Sequence, residues 1–370
     1  MASKKKFSKA LTIFLAILCL FLGCGIGVVG GALYDALRFE SDEAPHVLVE
    51  GELQIHFLEL GNKYTGDCTY IKAGDTDILI DAGSRTSSIA AISAYINQYV
   101  TDGKLEYVIV THAHQDHYAG FTQREGSLFD LYECGTIIDF AMTDHTYTGS
   151  NMYSRYIDER NAEIDAGAKH YTAADCFAAG NSNVFDMGSG ITMKVLDSYY
   201  YYNKSTHGEN DYSVCTLFTY GDYSYLFTGD LEEGGEEKLI ELNPDLSEVT
   251  LYKAGHHGSK TSSSAAFLEV ISPEIVCVCC CAGSSEYTDT NANQFPTQQF
   301  IDRIAPYTDK VYVTTLCTDY DKGTYRPMNG NIAVVTNSTG VSVICGSGDS
   351  RVLKEWEWFK ANRTLPDAWK

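Results

Sequence analysis

The hydrophobic pattern changes character along the chain. Residues 11–34, "LTIFLAILCLFLGCGIGVVGGALY", run 24 positions without a charge behind four lysines in residues 1–10. That length spans a bilayer, and lysines on its N-terminal side predict a basic cytoplasmic start at 1–10 and a single transmembrane anchor at 11–34. A cleaved signal peptide is the competing expectation, but the run is long for one and no A-x-A site closes it. Either way the remainder is expected outside the cytoplasm. From about residue 48 to 348 the apolar residues fall instead into short β-type runs divided by Gly- and Asp-containing turns. The end, "RVLKEWEWFKANRTLPDAWK" (349–370), reads as a short amphipathic helix followed by a loose tail.

Two stretches repeat one pattern. "TYIKAGDTDILIDAG" (69–83) and "TLFTYGDYSYLFTGD" (216–230) each read as strand, Gly-Asp turn and strand, with an acid just beyond the second strand. The first continues with a helical pattern, "SSIAAISAYINQYV", the strand "LEYVIV" and the loop "THAHQDH". The second continues with "EEGGEEKLIEL", the strand "EVTLYKA" and the loop "GHHGS". Hairpin, helix, strand and histidine loop thus recur about 145 residues apart. A duplication of this kind predicts two facing sheets with helices outside, an α/β fold of four αββα layers, with both histidine loops at the meeting strand ends. Only seven prolines occur and no tract longer than a loop interrupts the region, so residues 48–348 are expected to form one domain.

The net charge of −22 falls mostly on the part beyond the anchor. An acidic surface repels polyphosphate at long range, so stable duplex DNA binding is not expected. Twelve cysteines are many for an exported chain, yet "VCVCCCAG" (276–283) lacks paired zinc-finger spacing and reads as a buried strand of small apolar thiols. The pairing of the scattered cysteines is not fixed by the sequence.

The candidate chemistry lies at the strand ends: Asp81, His112, His114, Asp116, His117, Asp230, His256 and His257. Imidazole and carboxylate suit zinc, manganese or iron, and a two-metal site needs five to seven such ligands with one carboxylate bridging. A lone His-x-His is weak evidence. H-x-H-x-D-H directly after a strand, with "TGD" and "GHHGS" at the equivalent points of a repeat, is far harder to reach by chance.

"THAHQDHYAG", "IDAG", "FTGDLEE" and "LYKAGHHGSKTSS" together resemble the metallo-β-lactamase superfamily, and the last is similar to the extracytoplasmic hydrolase domain of ComEC-type competence proteins. The resemblance spans about residues 50–345. It implies two divalent ions, zinc or manganese, with His112 and His114 on the first and Asp116 and His117 on the second. It further implies a bridging Asp230, His257 completing the second site, and Asp81 orienting the loop from behind. Asp116 and His256 would then serve catalysis around a metal-activated water, with His256 binding phosphate or protonating the leaving oxygen.

Two departures from that pattern stand out. Asn210 occupies the place of a histidine that most of the superfamily carries, as in the ComEC-type relatives, and predicts looser binding or a preference for manganese. Phe295 precedes Pro296 where those relatives place a histidine. His145, His170 and His207 read as surface or loop residues, with His207 close enough to Asn210 to substitute for the missing ligand. "SYYYYN" (198–203) is either a stacking surface at the site mouth or a packed rim, and "SKTSSSAAF" is a helix cap, a hydroxyl donor to phosphate, or both.

These readings predict a single-pass membrane protein whose outer domain is a metal-dependent hydrolase, first of all a phosphodiesterase. Its expected substrates are a small phosphodiester, single-stranded nucleic acid or a cell-wall polymer. The alternatives are a hydrolase of carbonyl substrates (lactone, thioester or β-lactam) and a non-catalytic metal-binding or protein-binding envelope module.

Overall fold

The computed structural model describes residues 52–370. The expected cytoplasmic start and anchor, and residues 48–51 of the expected domain, lie outside the described residues. Among the described residues no helix is long and apolar enough to cross a membrane.

Sixteen strands form two sheets of eight. The first runs, in spatial order, β16 (Gly340–Cys345), β15 (Ile332–Asn337), β1 (Leu53–Phe57), β2 (Thr69–Ala73), β3 (Thr76–Ile80), β4 (Lys104–Val110), β5 (Glu133–Asp139) and β6 (Lys169–Thr172). The second runs β14 (Thr324–Pro327), β13 (Val311–Asp319), β12 (Ile275–Ala282), β11 (Leu251–Lys253), β10 (Tyr223–Phe227), β9 (Thr216–Tyr220), β8 (Ile191–Val195) and β7 (Val184–Gly188).

The duplication is plain in the pairing. β1, β2 and β3 are antiparallel neighbours and β3 to β6 are parallel. β8, β9 and β10 are likewise antiparallel and β10 to β13 parallel. The two predicted helices occur at Ser88–Ile96 and Glu233–Leu242, each crossing between a hairpin and the parallel strand that follows.

One apolar core, with Ile55, Phe57, Val108, Phe218, Tyr225 and Phe227 among its residues, lies between the sheets. Phe57 stacks on Phe227 across the gap, and the Tyr225 hydroxyl meets Thr336 Oγ1 at 2.5 Å. A second core backs the second sheet with helices Ala265–Ile271 and Gln298–Ile304. β12 serves both: Ile275, Cys277 and Cys279 face the first core, while Val276, Val278, Cys280 and Ala282 face the second. Two apolar faces explain its unbroken run of small thiols, and burial pushes the Cys277 and Cys279 thiols up, away from the reactive thiolate.

The C-terminal tail corrects an expectation. It is packed rather than loose, because its aromatic residues close the second core: Leu353, Trp356, Phe359 and Trp369 are all buried. Trp356 also donates from Nε1 to Arg351 O at 3.1 Å and carries the Arg351 guanidinium over its ring. Trp356→Ala should lower the unfolding free energy by about 3–5 kcal/mol, the usual cost of emptying a buried aromatic site. A urea midpoint shift at constant slope measures it.

Candidate metal centre

Each half of the fold ends two strands at the same edge. Asp81 follows β3, His112 follows β4, Asp230 lies three residues beyond β10, and His256 and His257 follow β11. His114 leads into the single-turn helix Gln115–Tyr118, which carries Asp116 and His117. Three of these residues adopt left-handed backbone: Asp81 (φ 61°), His256 (φ 45°) and His257 (φ 56°). Non-glycine residues pay for that conformation, and such strain gathers at functional sites. Gly229, also left-handed, is required by space as well. A Cβ there would come within 2.9 Å of Ser213 Cβ and 3.0 Å of Thr111 Cβ.

Asp230 is the focus of the arrangement. Its Oδ2 lies 3.1 Å from His117 Nε2, 3.4 Å from His257 Nε2, 3.9 Å from His256 Nε2 and 4.0 Å from His112 Nε2. His257 Nε2 is also 3.4 Å from Asp116 Oδ2, and His112 Nε2 is 3.0 Å from His114 Nδ1. Four groups bring ligand atoms within 4.8 Å of one another: His112, His117 and Asp230; Asp116, His117 and His257; Asp67, Asp230 and His257; and Asp67, Asp81 and His117. The buried His117 Nε2, His257 Nε2 and Asp230 Oδ1 have no hydrogen-bond partner. Buried imidazole nitrogens left without hydrogen bonds around one carboxylate fit a divalent cation of the zinc or manganese type.

The electrostatics follow from that crowding. Burial works against a charge on His117, but Asp230 and Asp81 outweigh it and hold its pKa well above the ordinary imidazole value. His257 behaves alike, with Asp230 and Asp67 prevailing over burial. In His112 burial wins, helped by the neighbouring His117, and the pKa falls well below the ordinary value. Burial also opposes ionisation of Asp230, yet His117, His257 and His256 keep its carboxyl well below the usual carboxylate range. Imidazoles and carboxylates in this cluster thus favour one another's charged forms.

Asp81 stands behind the ligands. It accepts from Thr111 N and Thr111 Oγ1, both at 2.8 Å, and its Oδ2 lies 2.8 Å from His117 Nδ1. That contact turns the other ring nitrogen toward Asp230. Asp81→Asn should keep the left-handed backbone, which asparagine tolerates, while weakening metal binding by about 10–100-fold. Competition with a chromophoric chelator reads the change directly.

His256 is set differently from His257. It is partly exposed, with Nδ1 3.1 Å from Thr261 Oγ1 and 3.4 Å from Glu232 Oε1. Asn210 donates from Nδ2 to the same Glu232 oxygen at 3.1 Å, while its Oδ1 is buried and unpartnered. Phe295 packs its ring 5.8 Å from both His256 and His257, filling the place beside them with an apolar wall.

The serine-rich loop caps a helix, Ser264 Oγ accepting from Phe267 N, and also reaches the site, because Thr261 touches His256. His207 is exposed, and His145 is exposed beside Tyr153. His170 departs from the expected surface role: it sits on β6, with Nε2 2.9 Å from the buried Asp139. Within "SYYYYN", Tyr201 is a core residue whose hydroxyl accepts from Cys215 N, while Tyr199 and Tyr202 are exposed.

Three contributors escaped the sequence reading. Asp67 and Lys253 form a buried ion pair beneath the site. Asp67 Oδ1 is 3.1 Å from His257 Nδ1, and Lys253 Nζ donates to Gly229 O and lies 3.8 Å from Asp230 Oδ1. The signal was present: a lysine inside the short apolar strand "LYKA" must find a buried partner, and Asp67 stands just ahead of β2. Glu209, also buried, holds the first histidine loop by accepting from Ala113 N at 3.2 Å.

The Metallo-beta-lactamase superfamily model matches residues 61–123 and 203–282, which contain every ligand candidate. Competence protein ComA of Neisseria gonorrhoeae is 25% identical over 301 residues, covering 81% of this chain and 36% of that protein. ComE operon protein 3 of Bacillus subtilis is 35% identical over 66 residues, covering 18% of this chain and 8% of that protein. The chain thus spans at most about a third of the length of these curated relatives. Among solved structures, the metallo-beta-lactamase fold protein YhfI from Bacillus subtilis aligns with a TM-score of 0.40 and 12% identity, covering 74% of this chain and 99% of that one.

Proposed function

We propose that this chain, which has the metallo-β-lactamase fold and is homologous to the ComA and ComE-operon competence proteins, is a membrane-anchored, extracytoplasmic, metal-dependent phosphodiesterase. The observation that carries this reading is Asp230 Oδ2, a single carboxylate oxygen within 4.0 Å of four imidazole nitrogens from both halves of the fold. When bound, two divalent ions, zinc or manganese, would activate a water and draw off the negative charge that builds on the substrate. His112, His114, Asp116, His117, Asp230 and His257 would hold them.

The chain's own groups do the rest. Asp81 meets the inner nitrogen of His117 and the Cys279 carbonyl meets that of His257 at 2.9 Å, so both rings present Nε2 to the site. His256, held at Nδ1 by Thr261 and Glu232 and partly exposed, can hold a phosphoryl oxygen or give a proton to the leaving oxygen. Phe295 excludes water from the two histidine rings on one side.

The net charge of −22 favours a small or single-stranded diester, or a diester of the cell-wall polymer, over a processive path along duplex DNA. The test is hydrolysis of bis-p-nitrophenyl phosphate by the purified full-length protein with added Mn²⁺ or Zn²⁺. Turnover that stops with chelator supports the reading. Hydrolysis of a thioester, lactone or β-lactam in its place would assign a carbonyl substrate, and bound metal without any turnover would assign a binding module.

A further inference from the structure

The loop after β12 belongs to the second half of the fold but is fastened to the first. Glu286 accepts from Thr65 N at 2.8 Å and from Arg85 Nη2 at 2.9 Å. Arg85 is itself held over the Tyr64 ring, 3.9 Å from its centroid. These ties place the next residue, Tyr287, beside the metal centre. Its hydroxyl donates to Asp116 Oδ2 at 2.7 Å, the same oxygen that lies 3.4 Å from His257 Nε2. The ring leans on Phe295 at 5.7 Å, and Phe295 in turn backs His256 and His257. Yet the residue is 55% exposed, so the ring borders solvent at the mouth of the site.

We infer that Tyr287 is a catalytic residue of the proposed phosphodiesterase, its single Oη proton turning from Asp116 Oδ2 to a non-bridging phosphoryl oxygen of the substrate, with Glu286 as the residue that positions it. The inference rests on the phosphoryl-transfer reading above. A phosphoryl oxygen entering beside Asp116 and His257 comes within reach of this hydroxyl, the one side-chain hydroxyl among the described residues that is bonded to Asp116. Such a donor matters most where charge grows on the equatorial oxygens, and removing one from a preorganised site costs about 10–1,000-fold in rate. Glu286 acts at one remove, by fixing the loop across the two halves.

The test compares the full-length wild-type protein with Tyr287→Phe, both loaded with Mn²⁺. Inorganic phosphate is titrated by calorimetry, and diester kinetics and metal content are measured in parallel. The exposed ring is kept in the variant, so its fold should be unchanged. The expected result is phosphate binding weaker by about 10-fold, a kcat lower by at least about 10-fold, and equal metal content. Glu286→Gln should move both readouts in the same direction by less.

Equal phosphate affinity and kcat in the two proteins would overturn the inference. So would loss of metal from Tyr287→Phe, which would make the hydroxyl a support for Asp116 instead. A wild type that binds no phosphate overturns it as well, and diester turnover by that same protein would leave the phosphodiesterase reading standing. If the wild type cleaves no diester but phosphate binding still weakens in the variant, the phosphodiesterase reading falls while the contact stands.

Discussion

An Asp230→Ala variant should be purified without its metal and should lose at least about 1,000-fold in diester turnover, a barrier increase of about 4 kcal/mol or more. The size follows from position. Asp230 Oδ2 is the one oxygen approached by His112, His117, His256 and His257 together, so its removal takes away the carboxylate that all four rings share. Asp230→Asn tests the charge alone, because the amide keeps the volume. It should bind metal weakly and turn over little. Elemental analysis and initial rates on the same preparations check both variants, and near-wild-type activity in either would remove Asp230 from the centre.

The second large effect is expected at Lys253. Lys253→Met should destabilise the metal-free protein by about 3–5 kcal/mol, because it takes from the buried Asp67 its lysine partner and leaves it only the His117 and His257 rings, in a place that also holds Asp81 and Asp230. The methionine fills most of the lysine's apolar volume, so the loss reports charge more than packing. Adding Asp67→Asn should recover much of the stability, since exchanging both members of a buried pair for neutral groups is often nearly neutral. Denaturant midpoints measured with chelator present separate this effect from metal loss. A single variant as stable as the wild type would mean that the pair is not needed to hold the carboxylates together.

The duplicated hairpin, helix, strand and loop could be read from the chain because each strand repeats its apolar period and each turn keeps Gly-Asp. That repeat was sufficient to place His112 through His117 opposite Asp230, His256 and His257 before any coordinate was known. The thiol run of β12 was legible for a related reason: only a strand buried on both faces accommodates eight small or apolar residues in succession.

What stayed hidden depends on contacts between distant segments. Asp67 and Lys253 are 186 positions apart, and no local spacing links an acid before one strand to a lysine inside another. Tyr287 is 171 positions from Asp116 and reaches it only because Glu286 ties one half's loop to the other's. His170 looked like a loop residue because its partner, Asp139, lies on the neighbouring strand. The tail looked loose because aromatic residues in a short terminal segment give no sign of the core that they close.

The most direct measurement is the metal content of the purified full-length protein, by elemental analysis, beside Asp116→Ala and Asp230→Ala. Two zinc or manganese ions per chain in the wild type, fewer in Asp116→Ala and almost none in Asp230→Ala, is the expected result. A folded wild type that takes up no stoichiometric metal from excess Zn²⁺ or Mn²⁺ would contradict it, and the histidines and aspartates at the strand ends would then need another explanation.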